Sequence, residues 1–341
     1  PDGNYVMVTT VEKPFSYLVP YYRFPSKTNI YTKDGSLVKN ILEVPLIEDL
    51  PKGFMAVREG KRNFSWRSDK PATLIYCEAL DGGDPENEVP YRDEIFEQDA
   101  PFDGSPKSLG KTINRYSSIR FANDQVAVVS DYWWNTRNTK TYLINPSNHQ
   151  QDAVVIFDLN YQDRYSDPGY FVSRRNEYGS YVLSVKDNDL FLLGDGFSEK
   201  GQFPFLDKFN LETKEIDRLY QSAYTDKLED LSDYDPEKNR LLVRIESPSE
   251  YPNYSFRDLN SNRLQQLTFF ENPFQSMEDV EKEVIKYQRD DGLELSGTLY
   301  FPPGYDKAKK DKMPMILWAY PREYKDKATA NQNTKNPNVF T

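Results

Sequence analysis

One cysteine and one histidine are all that this 341-residue chain has of either residue. With Cys77 alone, neither a disulfide framework nor a cysteine-based metal site forms within the chain. His149 sits in the polar turn Asn145–Gln151; a Ser-His-Asp triad needs a positioned histidine, and this one reads as a surface residue. The Gly-x-Ser-x-Gly elbow that presents an α/β-hydrolase nucleophile is missing. Gly-rich phosphate loops are missing too, Gly194-Asp195-Gly196 being a loop after a strand. No basic block interrupts a formal charge of −11, so nucleic acid and anionic membranes, which need a positive face, are not expected partners. No apolar run approaches a membrane span; no stretch of the given residues reads as a signal peptide, which means little where both ends are expected to be cuts through a longer protein. No metal and no cofactor is expected. The acidic clusters Asp81–Asp84 with Glu86 and Glu88, and Glu229–Asp235, lack the fixed spacing of a calcium loop and read as solvated acidic loops.

What is abundant is aromatic: Tyr and Phe number 25 and 20, in a chain of only 38% hydrophobic residues. That mixture suits half-buried strands with aromatic inner faces and very polar connections. Tyr5–Val11 alternates like a strand, and Thr28–Lys33 with Leu37–Val44 predicts a hairpin around Asp34-Gly35. Between them runs an aromatic and proline-rich loop, Pro14–Pro25, expected to be packed against another part of the protein, with a substrate- or domain-facing surface as the alternative. Further strands are predicted at Thr73–Ala79, Glu94–Asp99, Ser117–Phe121, Val126–Ser130, Thr141–Asn145 and Val154–Leu159, then from Tyr181 onward through Leu264–Phe269. Polar turns that each precede an apolar strand (Pro1-Asp2-Gly3, Ser68-Asp69-Lys70, Ala122-Asn123-Asp124, Glu177-Tyr178-Gly179, Asp235-Pro236-Glu237) recur at roughly 55 to 65 residues. Four strands per repeat, each sheet burying its faces on its neighbours, predicts a partial β-propeller of about five four-stranded blades over residues 1–273. A β-sandwich array is the alternative.

The stretch after residue 273 has a different character. Two alternating runs, Glu283–Tyr287 and Leu293–Phe301, joined by Arg289-Asp290-Asp291-Gly292, predict a hairpin. Met315-Ile316-Leu317-Trp318-Ala319 is a continuous apolar run, expected to form a strand covered on both faces. It breaks at Tyr320-Pro321-Arg322-Glu323. The wording DDGLELSGTLYFPPGYD followed by ILWAYPREYKDKA resembles the opening of the catalytic domain in the prolyl oligopeptidase family of serine peptidases, and most closely its glutamyl endopeptidase branch. KPFSYLVPYYRFP at Lys13–Pro25, WRSDKPATLIYCEALDGGDP at Trp66–Pro85 and VPYRDEIFEQDAPFDG at Val89–Gly104 are similar to the same branch.

The resemblance implies a mainly β chain: a propeller portion, residues 1–273, followed by the first strands of an α/β-hydrolase domain, residues 274–341. It implies a peptide substrate cleaved after Glu, a propeller that filters access, and a Ser-Asp-His triad beyond Thr341, so that the chain alone is expected to be inactive. The remaining blades and hydrolase domain would be its partners within one protein, and a periplasmic or otherwise exported location follows from the resemblance alone. Tyr320 matches the tyrosine that donates to the oxyanion, although Pro321-Arg322-Glu323 replaces the glycine-containing turn of many relatives. An acidic side chain in the substrate needs a desolvated guanidinium, for which the candidates are Arg23, Arg174, Arg175 and Arg322. Trp133-Trp134 reads as packing rather than as a contact surface. A dipeptidyl-peptidase-type exopeptidase would need a Glu-Glu segment not found here, and a non-catalytic binding propeller would have no use for the hydrolase-like hairpin.

Overall fold

The computed structural model describes every residue except 150, 278, 279, 310, 321 and 341. The described chain is almost wholly antiparallel β, in two compact units: residues 1–160 with 173–183, and residues 161–172 with 184–341.

The first unit opens with a three-stranded sheet, Tyr5–Val11, Ser26–Thr32 and Leu37–Val44. The turn at Asp34-Gly35 lies where the alternation predicts it, with Gly35 at φ +85°. A four-stranded sheet follows, Arg62–Trp66, Thr73–Ala79, Asp93–Asp99 and Lys107–Thr112, and then another, Arg115–Asn123, Val126–Trp133, Asn138–Ile144 and Val154–Asn160. In both, spatial order follows chain order, the meander of a propeller blade. Two of these strands escape the sequence pattern. Arg62–Trp66 is interrupted by a register shift between Arg62 and Ser65. Lys107–Thr112 has one apolar side chain, Leu109, at a buried position. A short hairpin, Ser173–Arg175 with Tyr181–Leu183, completes the unit, and Asn176 in its turn donates to the Ser68 carbonyl at 2.7 Å.

Burial in these sheets follows strand chemistry. Thr73–Ala79 is apolar along most of its length and buried on both faces over Thr73–Cys77. Ile75, Cys77 and Ile95 join Phe121, Val129 and Tyr142 in one core. The small apolar gap lined by Ile95, Leu109, Val129, Tyr142 and Ile144 has no room even for a water. Asp93–Asp99 alternates strictly, yet its inward set is Asp93, Ile95 and Glu97. Buried carboxylates require partners, and arginines from neighbouring segments supply them.

The second unit contains a five-stranded sheet in which Val185–Lys186 and Tyr170–Phe171 both pair with Asp189–Gly194, followed by Phe205–Asn210 and Ile216–Gln221. Val185–Lys186 turns into Asp189 through Asp187-Asn188, both at positive φ, as a two-residue hairpin demands. Asp189–Gly194 is buried throughout. Gly169 approaches it so closely that a Cβ there would lie 2.1 Å from the Leu193 carbonyl oxygen. The next sheet is Leu228–Asp235, Arg240–Glu246, Asn253–Asp258 and Leu264–Gln266. Phe191, Leu193, Leu206, Leu231, Leu241 and Val243 form the core. The predicted hairpin is present as Lys282–Gln288 paired with Glu294–Tyr300.

Two expectations fail. Met315–Ala319 forms no strand, and its large side chains lie open: Ile316 is 95% exposed and Trp318 88%. A continuous apolar run becomes a buried strand only when strands flank it and layers cover it, and the described residues provide neither here. The acidic clusters are also not simply solvated. Asp81 and Glu229 are buried, each gripped by an arginine from a distant strand.

Candidate functional site

The sheets hold their buried charges in two sets. In the first unit, Arg115 forks onto Asp81 with its two terminal nitrogens at 3.0 and 2.7 Å, and reaches Asp93 at 3.0 Å. Asp81 also accepts from the Gly83 N–H at 2.9 Å and from Arg92 at 3.0 Å. Burial by itself would raise the Asp81 carboxyl, but the bonds from Arg115, Arg92 and Gly83 outweigh it and hold it below the ordinary value. Arg67, wholly buried, bonds Asp69 twice and Glu97 once, with its guanidinium 4.3 Å from the Phe121 ring. In the second unit, Arg257 donates to Glu229 at 2.6 Å and Tyr220 donates to the other oxygen of that carboxylate at 2.6 Å. Each of these carboxylates is paired with protein donors from other segments, so they fasten strands together.

The residues that sequence reasoning would assign to nucleophilic or metal chemistry are accounted for in the same way. Burial pushes the Cys77 thiol up to about 12, which makes it inert. His149 has Nδ1 2.8 Å from the Ser108 carbonyl oxygen and Nε2 3.9 Å from Glu97, on an exposed turn. Among the described residues no group of three His, Cys, Asp or Glu is arranged to hold a metal. Trp133 lies under Arg92 at 4.4 Å, while Trp134 packs against Phe54 and Arg137 at 5.0 and 4.0 Å.

The candidate specificity arginines stand apart. Arg23 ends a short 3-10 turn, Tyr21–Arg23, in the aromatic loop, half-buried. That loop is less packed than expected: Phe15 meets Phe24 at 5.5 Å, but Tyr17, Leu18, Tyr21 and Tyr22 are exposed. Arg174 and Arg175 are consecutive exposed residues of one strand, with Arg175 5.2 Å from the Tyr181 ring. Arg322 is exposed.

Tyr320 follows the apolar run and is 84% exposed. Pro321, expected to stop a strand there, lies outside the described residues. The segments before and after it make contacts of their own. Upstream, the hairpin turn is closed by Arg289 forking onto Asp291 at 3.0 and 2.7 Å, which holds that carboxyl down to about 2. Tyr305 stacks on Phe301 at 5.4 Å, with Lys307 over the same ring at 4.2 Å. Downstream, Asp326 caps the four-residue helix Lys327–Ala330 by accepting from the Thr329 N–H at 2.8 Å. Beyond it the chain runs along the second unit. Asn336 donates to Gln202 at 3.0 Å, Asn338 to the Thr225 carbonyl at 2.9 Å, and the Phe340 N–H to Glu246 at 2.8 Å. Lys282 of the hairpin donates to the carbonyls of Val339 and Phe340, each at 2.5 Å, and its burial lowers the ammonium pKa.

Comparison with known proteins gives the segment a context. Over 356 aligned residues and 99% of its length, the chain is 37% identical to a probable glutamyl endopeptidase, chloroplastic, of Arabidopsis thaliana. It is likewise 37% identical, over 100% of its length, to the protein of that name in Oryza sativa subsp. japonica. Along its whole length the chain is thus similar to proteins named glutamyl endopeptidase. It spans 37% and 38% of the lengths of these two relatives. No family model matches. Among solved structures, oligopeptidase B from Leishmania major is similar over 90% of this chain and 38% of its own, with 10% identity and a TM-score of 0.48. The β-propeller domain of the Trilobed protease from Pyrococcus furiosus is similar over 88% of this chain and 80% of its own, with 11% identity and a TM-score of 0.41.

Proposed function

We propose that the complete protein is a serine endopeptidase that cleaves peptides after Glu. In this reading residues 1–273 are a propeller portion that filters access, and residues 274–341 begin the α/β-hydrolase domain that carries the chemistry. The observation that carries it is the 37% identity to glutamyl endopeptidases along the whole chain. The Ser, Asp and His of the triad would lie beyond Thr341, and this chain by itself would hydrolyse nothing. The chloroplastic relatives favour an exported or organelle-targeted protein and give the periplasm no particular support.

Within that reading Tyr320 is the oxyanion-hole donor. Its phenol O–H would donate to the tetrahedral oxyanion together with a backbone N–H beside the nucleophile. The support is the family resemblance of the surrounding motif, with which the chemistry of the position agrees. Tyr320 terminates an apolar run that needs flanking strands and covering layers, and the carboxyl ends of such strands are where α/β folds gather their sites. A substrate carboxylate would have to overcome a formal charge of −11, which calls for a local guanidinium. Arg322, two residues from Tyr320, is the first candidate, ahead of Arg23, Arg174 and Arg175. The test is Tyr320→Phe in the complete enzyme, assayed on a fluorogenic peptide with Glu before the scissile bond. Loss of one such donor should lower kcat about a hundred- to a thousandfold. A folded variant whose kcat stays within a fewfold of the parent would exclude Tyr320 from this role.

A further inference from the structure

Tyr320 lies open to solvent, yet three residues later the chain is gripped. The Gln162 side chain donates to the Glu323 carbonyl oxygen at 2.6 Å and accepts from the Lys325 N–H at 2.9 Å. One amide thus reads two backbone groups of a passing segment, as a neighbouring strand would. The residues after Gln162 hold the far side of the short helix. Arg164 N–H donates to the Gln332 side chain at 2.7 Å, Gln332 donates to Asp163 at 2.5 Å, and Asn333 N–H donates to the Tyr165 hydroxyl at 2.9 Å. Asp163 in turn accepts from the N–H groups of Tyr165 and Ser166 at 3.0 and 3.2 Å and from the Ser166 hydroxyl at 2.8 Å. Four consecutive residues, 162–165, therefore clamp 323–325 and 332–333, one on each side of Lys327–Ala330. All of these groups belong to one compact unit.

We infer that Gln162 is a positioning residue: its two hydrogen bonds to the backbone just past Tyr320 set where the Tyr320 phenol stands in the complete enzyme. This rests on Tyr320 being the oxyanion donor. An oxyanion hole works because its donors are fixed before the charge develops, and misplacement by about 1 Å is enough to cost on the order of a hundredfold in rate. A side-chain amide is suited to the task because it offers a donor and an acceptor on one rigid plane. Alanine at 162 removes both, whereas Gln162→Glu keeps the acceptor for Lys325 N–H and loses the donor to Glu323.

Two measurements separate this inference from the reading beneath it. In the present chain, limited trypsin digestion compares cleavage after Arg322 with cleavage after Lys312, which precedes the exposed run. Gln162→Ala should accelerate the Arg322 cut several-fold while the Lys312 cut keeps its rate. Equal rates at Arg322 in parent and variant would show that Gln162 does not hold the segment, whatever Tyr320 does. In the complete enzyme, Gln162→Ala should lower kcat about ten- to a hundredfold with little change in KM, and Gln162→Glu should fall between variant and parent. In a Tyr320→Phe background the Gln162→Ala effect should vanish, because the group it positions is gone. An equal loss in both backgrounds would mark a structural role and overturn the inference. A Tyr320→Phe enzyme with parental kcat would overturn it through the assignment of Tyr320, with the trypsin result still standing.

Discussion

The strand Asp93–Asp99 reads DEIFEQD and buries Asp93 and Glu97 as completely as Ile95. The run Met315–Ala319 reads MILWA and leaves Ile316, Leu317 and Trp318 almost fully exposed. Hydrophobicity alone would have reversed the two. What separates them is partnership. Asp93–Asp99 has a strand on each side, Arg115 and Arg67 aimed at its carboxylates, and Phe121 and Val129 in the same core as Ile95. The apolar run is uncovered along its whole length. Burial is a property of the surroundings a segment finds, and charge enters the interior wherever its counter-charge is already placed.

The comparison is broken most severely by removing the counter-charge. Arg115→Ala leaves Asp81 and Asp93 buried with their strongest partner gone, and should cost about 3–5 kcal/mol. Urea denaturation of the chain measures it, with Arg174→Ala, an exposed arginine, expected within about 0.5 kcal/mol of the parent. A small loss at Arg115 would mean that the cluster is hydrated and that the sheets do not depend on it. A second pair of variants tests the apolar side. Leu206, fully buried in the second unit's core, should lose about 2–5 kcal/mol as Leu206→Ala. Leu317→Ala, at 78% exposure, should stay within about 0.5 kcal/mol. Equal losses would show that the run 315–319 is packed in solution.

Much of the architecture was legible because strand alternation and turn chemistry are local. Tyr5–Val11, Thr73–Ala79 and the hairpin flanking Arg289–Gly292 are found where the pattern predicts them. Lys107–Thr112 was not, because a strand with one apolar residue owes its place to its neighbour Asp93–Asp99 rather than to its own pattern. The buried roles of Asp81 and Glu229 were hidden for the same reason, their arginines lying 34 and 28 residues away in sequence. The clamp at Gln162 was further out of reach, its contacts spanning 161 and 163 residues between ordinary polar side chains. Tyr320 was singled out by a family resemblance, since its place at the end of an apolar run does not by itself assign it a role in the chemistry. The arginine candidates were chosen by charge alone, a criterion with no information about which of them meet in space.

Acid is the gentlest way to sharpen the comparison, because it titrates the counter-charged cluster and leaves apolar packing alone. The Asp81 carboxyl is held below its ordinary value by Arg115, Arg92 and the Gly83 N–H against the opposing effect of burial. Its folded value lies below its unfolded one, so its stabilising contribution is complete above about pH 4 and is lost as pH falls through the folded value. Asp163 in the clamp behaves alike, its bonds from Gln332, Ser166 and Tyr165 overcoming burial. Asp230, on the strand Leu228–Asp235, runs the other way. Burial raises its carboxyl, so protonation favours the folded form and partly offsets the loss as pH falls. Stability measured from pH 7 to pH 3 should therefore be flat at first and then fall below about pH 4. Asp81→Asn should lie below the parent at pH 7 and converge on it in acid, where the parent's carboxyl is also uncharged. Leu317→Ala should run parallel to the parent at every pH. If the gap between parent and Asp81→Asn stays constant down to pH 3, shape rather than charge holds Arg115 in place, and the contrast between the charged strand and the apolar run would have to be restated in terms of packing.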